Sequence, residues 1–226
     1  MIAQIERDGF AVVPAVLGQP ALCQLVQAIE THLPQQSEAG IRGLAAKVPE
    51  VLELARSSEV RALVEPMLGS GARLVRSILF SKSAETNWQV PWHQDLAIAV
   101  QSRAEVEGYA SWSIKEGVMH VQPPVAVLEQ MLSVRLHLDP ADESNGALWV
   151  SPGSHRLGRM PASAAASVVE RLGKQLCAVN AGDALLFRPL ILHASRKATS
   201  SRPRRVIHLE FAAASLPLPL AWIEAA

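Results

Sequence analysis

Three residues of the sequence have the types and spacing of a metal site. His93 and Asp95 stand two positions apart in the segment PWHQD. In an extended segment, residues i and i+2 point to the same side, so this imidazole and this carboxylate would face one point. His193 ends the apolar run PLILH and is the best candidate for a third ligand. Two histidines and one carboxylate leave further positions open on a metal, which is the ligand set of non-haem Fe(II) oxygenases.

Each of these signals is weak by itself. An isolated H-x-D occurs by chance in many proteins, and a single histidine at the end of an apolar run is more often a core or capping residue. The pairing of His193 with the H-x-D segment is what favours a metal site.

The segment RRVIHLEFA at 204–212 predicts a strand with two different faces. The even-numbered residues, which begin with Arg204 and include His208, would form a largely polar face, and the odd-numbered ones, which begin with Arg205, an apolar face. If the polar face lines a barrel, the guanidinium of Arg204 lies beside the metal and can hold a carboxylate with two hydrogen bonds. The alternative is that Arg202, Arg204 and Arg205 form a solvated basic loop.

The elements that must position these residues change in character near residue 70. Behind Pro20, apolar residues recur with helical spacing up to Pro34. A second helical stripe begins at Ser57 or Ser58 and ends at Gly69. Short β-like runs separated by turn residues follow, which predicts an antiparallel sandwich or barrel with the helices on one face. The predicted strands are 73–80, 132–138, 146–150, 175–179, 183–187 and 204–212.

We therefore expect one domain over residues 1–226. It would comprise a helical part at 1–70 and a β core at 71–213. Residues 161–173 predict a short helix between strands, and 101–124 is a long insertion whose pattern predicts neither helix nor strand.

The composition excludes some classes of partner. Lys and Arg number 21 and so do Asp and Glu, so the chain lacks the broad positive charge that non-specific binding to nucleic acid or to an anionic membrane needs. Cys23 and Cys177 both lie in apolar runs and predict buried free thiols rather than a disulfide framework. With no secretory signal or transmembrane segment in the sequence, we expect a cytoplasmic protein.

Several motifs follow one another along the chain. They are WHQD at 92–95, RLHLD at 135–139, SNGALWVSPGSHR at 144–156, GDALLF at 182–187 and HAS at 193–195. An arginine also follows His193 by eleven residues. This order resembles the phytanoyl-CoA dioxygenase family of Fe(II)- and 2-oxoglutarate-dependent oxygenases. The resemblance spans nearly the whole chain, and it implies a double-stranded β-helix, a jelly-roll or cupin-like core, with the N-terminal helices on one face.

Carried over residue by residue, the resemblance implies roles for the candidates. His93, Asp95 and His193 would bind the iron. Arg204 and Ser195 would bind the distal carboxylate of 2-oxoglutarate. Arg135 stands where the family places another cosubstrate contact, although an ion pair with Asp139 or Glu143 is the alternative. Lys82 matches a basic residue on the strand before the metal motif. Trp88 and Asn87, and then Gln89, Tyr109, Trp112 and Arg103, are candidate substrate contacts.

The activity that the resemblance implies is hydroxylation of an unactivated C–H bond in a small-molecule metabolite, with O2 as cosubstrate and release of succinate and CO2. The presence of Asp95 favours hydroxylation over halogenation, because the halogenases of this scaffold lack that carboxylate. Two alternatives remain at this point. One is a non-catalytic jelly-roll protein that binds a metal or ligand, and the other is a metal-dependent hydrolase that uses the same triad.

Overall fold

The computed structural model describes residues 1–33, 40–83 and 86–224. Its helices are α1 (Ile2–Asp8), α2 (Gln19–His32), α3 (Leu44–Lys47), α4 (Pro49–Arg56), α5 (Ser58–Leu68), α6 (Val125–Leu128) and α7 (Ala165–Leu172). Its strands are β1 (Phe10–Val13), β2 (Gly40–Arg42), β3 (Arg73–Lys82), β4 (Val90–His93), β5 (Ile98–Val100), β6 (Ala110–Lys115), β7 (Val118–Gln122), β8 (Met131–His137), β9 (Leu148–Val150), β10 (Gln175–Leu176), β11 (Ala184–Phe187), β12 (His193–Ser195) and β13 (Arg204–Ala212).

Three antiparallel sheets carry the fold. The largest has the strand order β1-β11-β8-β13-β3-β2, the second β10-β9-β12-β4 and the third β5-β7-β6. Side chains from the first two sheets line one cavity, so these sheets form the two walls of a sandwich. The predicted mainly β fold with a jelly-roll core is confirmed.

The helices cover the outer face of the six-stranded sheet. Val134 and Leu136 of β8 and Ile207 and Leu209 of β13 are fully buried there. Because side chains alternate along a strand, the neighbours of these residues point into the sandwich. The helical residues in the same apolar core include Leu22, Leu25, Ile29, Val60, Leu63 and Val64.

The two helices predicted from their apolar stripes are present. Pro20 occupies the first turn of α2, where its missing N–H costs no hydrogen bond. At the start of α5, the hydroxyl of Ser57 accepts a hydrogen bond from the backbone N–H of Val60 at 3.4 Å, so Ser57 rather than Ser58 is the cap. Gly69 ends this helix.

Other elements depart from the sequence prediction. The predicted strand 175–179 is paired only at Gln175–Leu176, because Val179 pairs instead with Ala141 in an isolated bridge. The short helix predicted within 161–173 is present as α7, and a 3-10 turn at Ala162–Ala164 precedes it. The segment 101–124, for which no element was predicted, contains the hairpin β6–β7.

Cys177 is buried as expected, whereas Cys23 is exposed on α2, so the prediction for Cys23 was wrong. Its helical position places it outside the apolar stripe. Among the described residues, no helix has the length and apolar character needed to cross a membrane.

Candidate active site

The structure brings His93, Asp95 and His193 together. One ligand atom from each lies within 4.8 Å of the other two. Asp95 is between the histidines, with one carboxylate oxygen 3.7 Å from Nε2 of His93 and the other 3.6 Å from Nε2 of His193. Two imidazoles and one carboxylate at these separations can close around one metal ion.

Backbone carbonyl groups orient both imidazole rings. Nδ1 of His93 lies 2.9 Å from the carbonyl oxygen of Pro91 and 3.1 Å from that of His193. Nδ1 of His193 lies 3.1 Å from the carbonyl oxygen of Ile191. A carbonyl accepts only from a protonated nitrogen, so the proton of each neutral ring is on Nδ1 and the lone pair of Nε2 faces Asp95.

Strand pairing places the ligands. β4 runs antiparallel to β12, with His93 opposite His193. Asp95 follows β4 and donates its backbone N–H to the carbonyl of Pro189 at 2.9 Å. On the other side, the hydroxyl of Ser154 accepts from the backbone N–H of Leu192 at 2.8 Å, which fixes the start of β12.

The buried side chain of Gln94, between two of the ligands, also holds this segment. Its amide nitrogen donates to the carbonyls of Gly158 at 2.8 Å and Leu190 at 2.7 Å. Its amide oxygen accepts from the backbone N–H of Met160 at 2.9 Å. These bonds fix the strand from the face opposite to the metal ligands.

The electrostatics of the triad suit a bound cation. Burial would raise the pKa of Asp95, but the charges of His193 and His93 outweigh it and hold this pKa at about 2. Burial lowers the pKa of His193 to about 4. The resting forms near neutral pH are therefore a carboxylate and a neutral imidazole, which are the forms that bind metals.

A cavity of about 100 Å³ adjoins the triad. Its wall on the large sheet comes from the even-numbered face of β13 and from the residues of β3 and β8 that lie opposite. His208 lies there, as its position in the strand predicts. The lining residues from β13, β3 and β8 are Arg204, His208, Glu210, Arg76, Ile78, Phe80 and Arg135.

Arg204 is buried with only 2 % of its surface exposed. It donates one hydrogen bond, to the carbonyl of Gly146, and its buried Nε has no partner among the described residues. Burial, aided by the charge of Arg135, lowers its pKa to about 9. Arg205, unlike Arg204, forms ion pairs. It lies on the outer face and pairs with Asp139 at 2.9 Å and Glu30 at 3.1 Å.

Two further cations are buried near Arg204. Arg135 lies over the ring of Phe80 at 5.1 Å, and its Nε has no partner among the described residues. The ion pair considered for it does not form, because Asp139 pairs with Arg205 and Glu143 with Arg196. Lys82 is 1 % exposed and has no carboxylate within ion-pair distance in the described part of the chain.

The backbone turn at Gly146 joins these groups. The carbonyl of Gly146 accepts from Arg204 and also from the hydroxyl of Ser195 at 2.8 Å. Ser195 accepts in turn from Nζ of Lys82 at 3.1 Å, and Lys82 donates to the carbonyl of Arg196 at 2.7 Å. Arg204, Arg135 and Ser195 line the cavity, and Lys82 lies behind Ser195. None of these three cations has a carboxylate of the described residues within ion-pair distance.

The structure separates the candidate substrate contacts. Trp88 lines the cavity, with its ring 5.0 Å from Nζ of Lys82. Asn87 does not line it, because both ends of its amide bind the backbone of Ala198, at 2.9 and 2.7 Å. Gln89 lines a separate surface depression.

The insertion residues lie away from the cavity wall. Tyr109 and Trp112 pack against an apolar core that includes Ile98 and Val121, and Arg103 lies 5.8 Å from the ring of Trp112. Their part in substrate binding stays a prediction.

Two charged lining residues were not assigned a role from the sequence. Arg76 and Glu210 stand opposite each other on β3 and β13 and form an ion pair of 3.0 Å. Glu210 had been placed on the polar face of its strand, and the alternation Lys82, Phe80, Ile78, Arg76 along β3 would have put Arg76 on the same face.

Comparison with known proteins agrees with this site. The chain matches the family model described as Phytanoyl-CoA dioxygenase (PhyH) over residues 5–206. The chain belongs to the phytanoyl-CoA dioxygenase family. A relative with detectable sequence similarity is the L-proline trans-4-hydroxylase of Streptomyces griseoviridis, which is 24 % identical over 242 residues. The match covers 91 % of this chain and 82 % of the relative.

Solved structures of similar fold include several oxygenases. EctD from S. alaskensis, with 2-oxoglutarate and 5-hydroxyectoine, has a TM-score of 0.73 at 20 % identity, over 93 % of this chain and 74 % of its own. SnoK, a non-heme alpha-ketoglutarate-dependent carbocyclase of nogalamycin biosynthesis, has a TM-score of 0.72 at 16 % identity, over 93 % of this chain and 82 % of its own. SnoN, an epimerase of the same biosynthesis, has a TM-score of 0.70 at 16 % identity, over 93 % of this chain and 78 % of its own. At these identities the likeness concerns the fold of this phytanoyl-CoA dioxygenase family member.

Proposed function

We propose that this member of the phytanoyl-CoA dioxygenase family is an Fe(II)- and 2-oxoglutarate-dependent oxygenase that hydroxylates a C–H bond of a small metabolite. The observation that carries the proposal is the cluster of buried, unpaired cations beside the metal triad. A buried charge without a partner is costly, so an anionic ligand is the natural complement of Arg204, Arg135 and Lys82.

The triad fits Fe(II). Its donors are two imidazole nitrogens and a carboxylate oxygen, a set that suits this metal, and no thiolate of the described residues joins them. His93, Asp95 and His193 would hold the ion from one side. The cavity lies on the other side, where further ligands can reach it.

The cation cluster fits 2-oxoglutarate. The guanidinium groups of Arg204 and Arg135 line the same cavity as the metal triad, so a dicarboxylate can reach both. Lys82 binds the hydroxyl of Ser195, which also lines this cavity. We assign the distal carboxylate to Arg204, Ser195 and Lys82. Arg135, which lies opposite His208 on the neighbouring strand and whose Nε has no partner among the described residues, would be a further contact of 2-oxoglutarate.

When bound, iron, 2-oxoglutarate and O2 supply the oxidation, in which 2-oxoglutarate loses CO2 and becomes succinate while one oxygen atom enters a C–H bond. The chain provides binding and orientation for this reaction. Arg204 fixes the position of the cosubstrate, and Ile78, Phe80 and Leu148 give the cavity an apolar part of its wall.

Hydroxylation is the outcome that we infer among the reactions of similar proteins. Asp95 is present as a ligand, and the curated relative is named a hydroxylase. An epimerase and a carbocyclase share the fold, so product analysis decides the outcome.

Succinate release tests the proposal. Purified protein with Fe(II), ascorbate and O2 should convert 2-oxoglutarate to succinate slowly in the absence of substrate, and calorimetry should show 2-oxoglutarate binding to the metal-loaded protein. The absence of both succinate release and 2-oxoglutarate binding would contradict the proposal. Hydrolysis of an ester or amide by the Zn²⁺ form without any 2-oxoglutarate binding would support the hydrolase alternative.

A further inference from the structure

The end of the cavity opposite to the cation cluster carries a different pair of charges. Arg204 and Glu210 lie on one face of β13 and are six residues apart, which is about 20 Å along a strand. His208 lies between them, and its ring is near that of Phe187, which also contacts the ring of His193. The metal triad is therefore beside the middle of this row, with Arg204 at one end and the pair of Glu210 and Arg76 at the other.

The pair of Arg76 and Glu210 is buried but incompletely satisfied. Their side chains are 14 % and 6 % exposed. One carboxylate oxygen of Glu210 contacts two partners, Nη1 of Arg76 at 3.0 Å and Nε2 of His208 at 3.1 Å. The buried Nε of Arg76 has no acceptor among the described residues. A pair held by one contact on the wall of a cavity retains hydrogen-bonding capacity on both partners.

The charges around this pair restrict the ligand. Glu224 is close enough for the charges of Arg76 and Glu210 to act on its pKa, which burial raises, and it binds the backbone N–H and hydroxyl of Ser77 at 2.9 and 2.6 Å. The charge of Arg76 also acts on His120, whose pKa is lowered by burial, and on Asp95. On the cavity wall itself, Glu210 balances Arg76, so this end offers no excess positive charge to a polyanion such as a CoA thioester.

We propose that Arg76 and Glu210 form a subsite for a zwitterion, which selects a free α-amino acid as the substrate. The proposal rests on the proposed function. The carboxylate of the amino acid would bind the free edge of Arg76, and its ammonium group would bind Glu210. A zwitterion brings no net charge to the site, and it gives each member of the pair a partner of opposite sign. The relative named for L-proline acts on an amino acid.

Binding to the Mn²⁺ and 2-oxoglutarate form tests the subsite without turnover. The probes are the twenty protein L-amino acids, measured by thermal shift and then by calorimetry, with propionate and acetyl-CoA for comparison. We expect at least one free amino acid to bind, and its methyl ester and its N-acetyl derivative each to bind at least about tenfold more weakly, since each lacks one charge. Binding by none of the amino acids, or equal binding of the free acid and both derivatives, would overturn the proposal.

Variants connect each charge to its residue. Arg76→Gln should reduce the preference for the free acid over the methyl ester, and Glu210→Gln should reduce the preference over the N-acetyl derivative. A purely structural ion pair would not produce this crossed pattern. Arg73→Gln, an exposed arginine of the same strand, should change neither preference.

Folding and function are followed separately. Each single change leaves one buried charge without its partner, so the double variant Arg76→Gln and Glu210→Gln is the reference for stability. The affinity for 2-oxoglutarate should stay within about twofold in every variant that folds. Amino acid binding without succinate release would support the subsite and contradict the oxygenase, and succinate release with unchanged preferences in the variants would contradict the subsite alone.

Discussion

Arg204 and Lys82 lie directly opposite each other on β13 and β3, and both side chains are buried on the inner face of the sheet. Two like charges in this cross-strand position repel, and the pair occurs here without an anion among the described residues. Such an arrangement lowers the stability of the empty protein and increases its affinity for a carboxylate. In the proposed function, the carboxylate of 2-oxoglutarate would relieve this repulsion.

The two arginines at the start of β13 should differ in a simple exchange experiment. Arg204→Gln removes the buried cation, so the Kd for 2-oxoglutarate should rise more than about tenfold. Arg205→Gln breaks the ion pair with Asp139 on the outer face, so it should lower the free energy of unfolding by about 1–3 kcal/mol and leave the Kd within about twofold. Calorimetry and urea denaturation measure the two effects, and equal changes of Kd would show that the inner face has been assigned wrongly.

Binding of 2-oxoglutarate should consume protons above neutral pH. Burial, together with the charges of Arg204 and Arg135, lowers the pKa of Lys82 to about 7. A bound carboxylate raises this pKa again, so affinity should fall as the pH rises above 7, by at most about tenfold per pH unit. Calorimetry at pH 8 in two buffers of different ionisation enthalpy measures the proton uptake.

The stability of the ligand-free protein should depend on pH in the opposite sense. Between pH 7 and the ordinary lysine pKa of 10.5, the unfolded chain holds the Lys82 proton and the folded chain does not, so the contribution of this group to stability rises with pH.

Lys82→Met should abolish the proton uptake on 2-oxoglutarate binding, whereas Lys115→Met, at an exposed position, should retain it. Proton uptake that persists in Lys82→Met would assign it to another group.

Periodicity predicted the elements that bury a regular apolar face. The stripe behind Pro20 and the alternation from Arg204 to Ala212 each correspond to an observed element with the predicted faces. Short strands such as β12 were not predicted from pattern, because three residues that are buried on both sides show no alternation. The strand at 175–179 is shorter than predicted, because the long-range bridge between Ala141 and Val179 competes for its backbone.

The candidate site was predictable where the residue types and the alternation of side chains along a strand indicate the same face. The spacing of His93 and Asp95 and the face of Arg204 came from local sequence. The pairing of Arg76 with Glu210 depends on the register of β3 against β13, which the sequence of neither strand states. No strand pattern predicted the direction of the Asn87 side chain, whose amide donates to the backbone carbonyl of Ala198.

Gln94 should matter to the metal site although it binds no ligand. Gln94→Leu leaves the carbonyls of Gly158 and Leu190 without donors and frees the segment that carries His93 and Asp95. We expect the free energy of unfolding to fall by about 2–4 kcal/mol and the affinity for Fe(II) or Mn²⁺ to fall by about 10-fold or more. Gln89→Leu, at an exposed position near β4, is the matched control and should change neither quantity. Metal affinity equal to wild type in a folded Gln94→Leu protein would contradict this role.

Two glycines with similar backbone conformations should respond differently to alanine. Gly146 and Gly117 have φ of +80° and +77°, so Ala at either position costs about 1–2 kcal/mol of backbone strain. A Cβ at Gly117 meets nothing within 4 Å, whereas one at Gly146 would lie 2.7 Å from Nζ of Lys82 and 2.8 Å from the carbonyl oxygen of Arg196. Gly146→Ala should therefore lose more stability than Gly117→Ala in urea denaturation, and it should also weaken 2-oxoglutarate binding in calorimetry, because Lys82 must move. Equal losses of stability with an unchanged Kd would show that Lys82 takes no part in binding the carboxylate.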